Sequence, residues 1–164
     1  LVPGTPSHVY ARFRRNLLDS DVEDHAHCII SWADGTDVHI GTSSIAHRGK
    51  PRWYVLGTRG ALLKEGLDPQ ERAMIAGDID AAAEAPENYA RVWSRVAGQP
   101  AETTVATVPG RWRSFYENVA AALRGAEPLA VTAASVRQVM LVIEAARASA
   151  AADRVARVDQ VRPG

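Results

Sequence analysis

The run "EDHAHCIISWADGTDVHIGTSSI", Glu23 to Ile45, constrains the fold more than any other stretch. Asp34-Gly35 stands between two β-rich segments, a strong cue for a two-residue hairpin turn. In that register Ala33 faces Thr36, Ile30 pairs with His39, His27 with Thr42 and His25 with Ser44. One face then carries Ala26, Cys28, Ile30 and Trp32, and the other carries Ile29, Val38 and Ile40. Both faces are partly apolar, whereas a sheet with one face in water alternates more cleanly. The pattern therefore predicts cover on both faces, one from helices of this chain and one from a partner subunit.

More strands surround the hairpin. His8–Phe13 alternates with period two, "PRWYVLGTR" is β-prone, and "ALL" begins another short strand after the Gly57 and Gly60 turn. Further strands are expected around Tyr89–Val96 and Thr103–Val108. Asp68-Pro69 reads as an N-cap followed by Pro at the first helical position, predicting a short helix over 69–76. The segment "AGDIDAAAEAPEN" reads as irregular.

The last third is helical. Trp112, Phe115, Tyr116, Val119 and Leu123 form one apolar stripe, closed by Gly125. Thr132 caps a second helix with Val136, Val139, Met140, Ile143 and Ala146 as its stripe. If these stripes are core, Phe115→Ala costs roughly 3–5 kcal/mol. Many strands followed by two amphipathic helices predict an α+β fold: an open, mainly antiparallel sheet with both helices packed on one face. The whole of 1–164 is expected to form a single domain.

The composition excludes several classes. Lys plus Arg and Asp plus Glu each number 19, so the basic excess usual in a nucleic-acid binder is missing. No apolar run is long enough to span a membrane, and the N-terminus lacks a signal-peptide plan. Cys28 stands alone, which rules out an intrachain disulfide and points to a reducing cytoplasm. The chain starts at Leu1 rather than at methionine, and "LVPGTPSHVYARF" reads as a linker feeding a strand, so a longer parent protein is expected.

Candidate chemistry is sparse. No G-x-G-x-x-G or G-x-x-x-x-G-K-[ST] occurs to cradle a cofactor phosphate. His25 and His27 share a strand face, but the hairpin register sends His39 to the opposite one, short of the three or four ligands a zinc site needs. Ser43, Ser44 and His47 lack a nucleophile elbow. Arg48, Lys50 and Arg52 read as a charged edge that discourages strand addition. In "LLKEGLDPQE", Lys64 and Asp68 lie where a strand ends and a helix begins. A donor and an acceptor at such a rim suit the hydroxyls of a polyol. The alternative leaves Asp68 as an N-cap and Lys64 as a solvated charge.

The order of three stretches resembles the C-terminal domain of the glucose–fructose oxidoreductase / inositol dehydrogenase (Gfo/Idh/MocA) family. They are "LVPGTPSHVYARF", "GKPRWYVLGTRGALLKEGLDPQE" and "GRWRSFYENVAAALRGAEPLAVTAASVRQVMLVIEAARASAAADRVARV". The resemblance implies an upstream nucleotide-binding domain as partner, with NAD(P) bound there and not by this chain. It further implies oxidation or reduction of a sugar or polyol and a homo-oligomer built through the exposed sheet face. The family's catalytic lysine and histidine lie in E-K-P and H-x-x-D motifs. Neither has a counterpart here, since Lys50-Pro51 follows Gly49, so no residue of this chain is assigned the hydride transfer. In the resembling family the rim after Gly-Thr-x-Gly approaches the substrate, making Lys64 and Asp68 the substrate-binding candidates. A non-enzymatic scaffold or ligand-binding domain using the same sheet is the alternative.

Overall fold

A computed structural model describes residues 2–16, 19 and 21–161. Leu1, at which the sequence reads as the middle of a longer protein, lies outside them. The strands are β1 (His8–Arg14), β2 (His25–Ser31), β3 (Asp37–Ser43), β4 (Trp53–Gly57), β5 (Gly60–Lys64), β6 (Ala90–Val96), β7 (Gln99–Val105) and β8 (Ala156–Arg157). The helices are α1 (Gln70–Ile75), α2 (Arg113–Leu123) and α3 (Ala133–Ala152). The α+β class with open antiparallel sheets holds. The strands are shared between two four-stranded sheets, ordered β3-β2-β1-β8 and β4-β5-β6-β7. The chain divides accordingly into two compact units, 1–47 with 129–164, and 48–128.

In the first unit, α3 covers one face of the sheet. Val9, Ala11 and Ile30 from the strands meet Ala145 and Ala146 from the helix, and Val158 closes the cluster. Small residues on α3 let its backbone come close to the strands, and Ser149, fully buried, completes that face. The large residues read as the α3 stripe are exposed instead: Val136, Val139, Met140 and Ile143. The helix has 20 residues and so is about 30 Å long. Residues 131–140 all lie exposed, so only its C-terminal half packs on the core.

The hairpin forms, but its register is one residue from the expected one. Trp32 N–H donates to Thr36 O at 2.9 Å, and Gly35 adopts φ +87°. The loop is thus three residues, Ala33 to Gly35, with glycine at its left-handed position. Ile30 pairs with Val38, Ile29 with His39, His27 with Gly41 and His25 with Ser43. A one-residue slip exchanges every side chain between faces. Val38 and Ile40 therefore join Ile30 and Cys28 on the face toward α3. His39 joins His25 and His27 on the other face, which gains polar groups but keeps Ile29 and Tyr10 and so stays partly apolar.

The second unit holds α1, α2 and the other sheet. A two-residue turn, Ala97-Gly98 with φ 49° and 82°, joins β6 to β7, so β7 begins four residues earlier than the sequence pattern indicated. Trp112, just before α2, and Phe115, Tyr116 and Leu123 within it remain exposed within this chain, so that stripe is not core here. Trp53, Tyr54, Val55 and Leu56 of β4 are exposed as well. Both helices were expected on one sheet; α3 packs on the first sheet and α2 belongs to the second unit. The division follows from the pairing of β4, which bonds to β5 and to neither strand of the first hairpin.

Candidate functional site

The second unit gathers its polar groups where β5 ends. Lys64 occupies the last position of β5 and is mostly buried. Its ammonium donates to Glu84 Oε1 at 2.5 Å, to Glu65 O at 3.0 Å and to Asn88 O at 3.2 Å. These contacts use all three of its donors. The rim lysine is thus the hub that ties the strand end to the segment between α1 and β6. Glu84 has 9% of its side chain exposed, in a segment punctuated by two 3-10 turns, Ile79–Ala81 and Pro86–Asn88. Gly66, at φ +72°, passes so close that a Cβ there would stand 2.6 Å from the Asn88 amide.

Burial opposes the charge on Glu84. The hydrogen bonds from Lys64 and from neighbouring Thr107, with the lysine's own charge, outweigh it, and the carboxyl is held below its ordinary range. The negative charge of Asp68 pushes the other way, so it lies within electrostatic reach of the pair. Glu84 Oε2 and Thr107 Oγ1 are buried and neither completes a hydrogen bond of normal geometry among the described residues.

Asp68 itself is exposed. It does not cap α1 as an N-cap residue, a position taken by Pro69. Its Oδ1 instead accepts the Gln70 backbone N–H at 3.0 Å, and the Gln70 side-chain amide donates to Oδ1 and Oδ2 at 3.1 and 2.9 Å. Gln70 Oε1 accepts the Trp112 N–H at 2.8 Å, linking the start of α1 to the residue before α2. Lys64 with Glu84, and Asp68 with Gln70, form two hydrogen-bonded groups, linked through the charge of Asp68 acting on Glu84. Glu84, Gln70 and Thr107 were missed. The signal for Glu84 was a single charge inside the small apolar run Ala81-Ala82-Ala83-Glu84-Ala85-Pro86, where a lone carboxylate needs a partner.

The other candidates do not assemble. On the outer face of the first sheet the His27 and His39 rings lie 6.0 Å apart, and His25 Nδ1 is buried without a partner among the described residues. Among the described residues no three of His, Cys, Asp and Glu converge to hold a metal ion. Cys28 is half-buried, and burial pushes its thiol up, away from the reactive thiolate. Nor do the described residues fit a dinucleotide. Such cofactors rest on a glycine-rich turn between a parallel strand and a helix, and both sheets here are antiparallel. No helix among the described residues is long and apolar enough to cross a membrane.

The described residues thus set out antiparallel sheets, a polar rim at the end of β5 and no dinucleotide cradle. Residues 3–158 match the family model for the C-terminal alpha/beta domain of the GFO_IDH_MocA oxidoreductase family, and the chain belongs to that family. It is 27% identical over 150 residues to scyllo-inositol 2-dehydrogenase (NADP(+)) IolW of Bacillus subtilis, an alignment covering 89% of this chain and 42% of that protein. It is 33% identical over 123 residues to the uncharacterized oxidoreductase YdgJ of Escherichia coli, covering 74% and 35%. The solved structure of yvaA from Bacillus subtilis superposes with a TM-score of 0.86 at 26% identity, covering 94% of this chain and 46% of that one. The chain thus spans less than half the length of the relatives it matches.

Proposed function

We propose that this chain is the substrate-binding and oligomerisation domain of an NAD(P)-dependent oxidoreductase acting on a sugar or polyol of the inositol type. In this reading 1–164 works as one domain with a nucleotide-binding domain that precedes it, in the cytoplasm. The match over 3–158 to an oxidoreductase C-terminal domain carries the reading. The polyol substrate is supported by the likeness to a scyllo-inositol dehydrogenase and by a cluster that offers both acceptors and donors. NAD(P) would supply the hydride acceptor from the preceding domain. This chain's part is to bind and orient the hydroxyl compound, and Lys64 and Asp68 are its substrate-contact residues.

Asp68 is the exposed acceptor of the two. Lys64 must exchange one of its three internal contacts to reach a ligand, and the 3.2 Å bond to Asn88 O is the longest of them. Assembly through a sheet face is supported by the second sheet, where exposed Val55 and Leu56 point to opposite faces of β4. Such exposed apolar surface marks association sites.

Initial rates with scyllo-inositol, myo-inositol and D-glucose, each with NAD+ and NADP+, test the activity of the oxidoreductase that carries this chain. Turnover of at least one is expected, and none with any pairing would remove the polyol reading. Light scattering after size separation tests assembly. A dimer or larger particle is expected, and a monodisperse monomer would exclude the sheet as an oligomer surface.

A further inference from the structure

Gln70 is the only buried residue of the second unit, 4% exposed. A buried glutamine must satisfy its amide internally, and this one does so in a single orientation. Its Oε1 takes the Trp112 N–H, so its NH2 is forced toward Asp68, where it donates to both carboxylate oxygens. With the Gln70 backbone N–H, Asp68 receives three hydrogen bonds from one residue. A carboxylate has about four acceptor positions, so one is left for a ligand. An exposed aspartate ordinarily rotates freely. This one is held from the interior.

A second residue serves the same arrangement. A Cβ on Gly110 would stand 2.5 Å from Gln70 Nε2 and 2.7 Å from Asp68 Oδ2, so any side chain there would displace the amide or the carboxylate. The Glu84 side chain, nine-tenths buried with the Thr107 hydroxyl as its neighbour, lies within electrostatic reach of the Asp68 charge.

We propose that Gln70 is a positioning residue that orients the Asp68 carboxylate to accept a substrate hydroxyl, with Gly110 leaving the space this requires. The inference rests on the reading of Asp68 as a substrate contact. It adds that the geometry of that contact is set by a buried amide tied to the start of α2. The ligand chemistry is a neutral hydroxyl donor: the substrate O–H donates to Asp68, and no proton is transferred.

The test is a set of variants in the oxidoreductase that carries this chain, assayed with the best used of scyllo-inositol, myo-inositol and D-glucose. Asp68→Asn and Gln70→Met are each expected to raise KM on the order of tenfold with kcat changed less than about twofold, the mark of uniform binding lost. In the Asp68→Asn background, Gln70→Met should add no further rise in KM, because its effect runs through the carboxylate. The exchanged pair Asp68→Asn with Gln70→Glu restores an amide–carboxylate contact. It should recover the melting temperature of the parent while KM stays high. If Gln70→Met raises KM by the same factor whether residue 68 is Asp or Asn, Gln70 acts by a route independent of the carboxylate and the proposal falls. If Asp68→Asn raises KM and Gln70→Met does not, the positioning role falls while the substrate contact stands. If Asp68→Asn leaves KM unchanged, the contact fails and takes the proposal with it.

Discussion

Ser149 Oγ accepts the Ala11 backbone N–H at 2.9 Å across 138 residues of chain, and donates to Arg154 O at 2.6 Å. The first bond exists because β8 is two residues long and pairs only with His8 and Val9. Beyond Val9 no strand among the described residues lies beside that edge of β1. A buried N–H left without an acceptor costs about as much as a lost hydrogen bond, and the α3 hydroxyl takes the strand's place. Ser149→Ala is therefore expected to lose about 1–3 kcal/mol, read by urea unfolding followed by circular dichroism. A loss under about 0.3 kcal/mol would show that Ala11 N–H finds another acceptor.

The same region shows how much of the fold was legible. The element order was readable because alternation, turn glycines and the Thr132 cap are local signals, and Thr132 does accept the Ser135 N–H as a capping box requires. The hairpin register was not. Asp-Gly suits a two-residue loop and also a three-residue loop with glycine left-handed, and only pairing with β1 decides between them. Val9 and Ala11 oppose Ile30 and Cys28, so the longer loop is the one that keeps Val38 beside Ile30 in the core. The packed face of α3 was hidden for a different reason. Close approach of a helix to a sheet favours Ala145, Ala146 and Ser149, whereas a search for large apolar residues finds the exposed stripe. At the site, Lys64 and Asp68 stood out as charges at a strand end. Their partners Glu84 and Thr107 come from distant segments whose convergence is a tertiary fact, and Gln70, a neighbour of Asp68 in sequence, shows its role only through its bond to the distant Trp112.

Lys64 and Glu84 form a pair with little exposure, 16% and 9% of their side chains. Removing one partner of such a pair strands the other charge. Lys64→Met is expected to cost roughly 2–4 kcal/mol, at the low side of the buried range because both keep some contact with solvent. Adding Glu84→Gln to Lys64→Met should recover more than half of the loss. The alternative that leaves Lys64 as a solvated charge predicts no such loss. Equal losses in the single and double variants would mean that the pair is not coupled.

Acid should expose the same pair. The Glu84 carboxyl is held below its ordinary range in the folded chain. Its folded form therefore binds protons less readily than its unfolded form. The stability it contributes is complete above the ordinary glutamate value of about 4.3 and is lost as pH falls from there through the depressed folded value. Glu84→Gln removes this contribution, so its stability curve should be flatter over that acidic window than the parent's. Parallel curves for parent and variant would show that Glu84 titrates alike in both states.

Ala97 holds φ 49° in the turn between β6 and β7. Alanine in the left-handed region costs roughly 1–2 kcal/mol, and asparagine tolerates it better. Ala97→Asn, giving the Asn-Gly pair that such turns favour, should raise stability by about 0.5–1 kcal/mol in the same urea experiment. No gain would indicate that the turn relaxes to another geometry in solution.

Phe115 and Val9 make opposite predictions about where the core lies. The α2 stripe reads as core in sequence, yet Phe115 is 49% exposed within this chain, while Val9 is fully buried between the strands and α3. Truncation costs follow burial, since only atoms withdrawn from water contribute transfer energy and leave a cavity. In the 164-residue chain, Phe115→Ala should therefore lose about 1 kcal/mol or less, far below the roughly 3–5 kcal/mol of a core phenylalanine. Val9→Ala should lose more than Phe115→Ala, on the order of 2 kcal/mol, despite being the smaller truncation. Paired unfolding curves decide it. If Phe115→Ala is the costlier change in this chain, α2 is buried in solution and the exposed stripe is not a free surface.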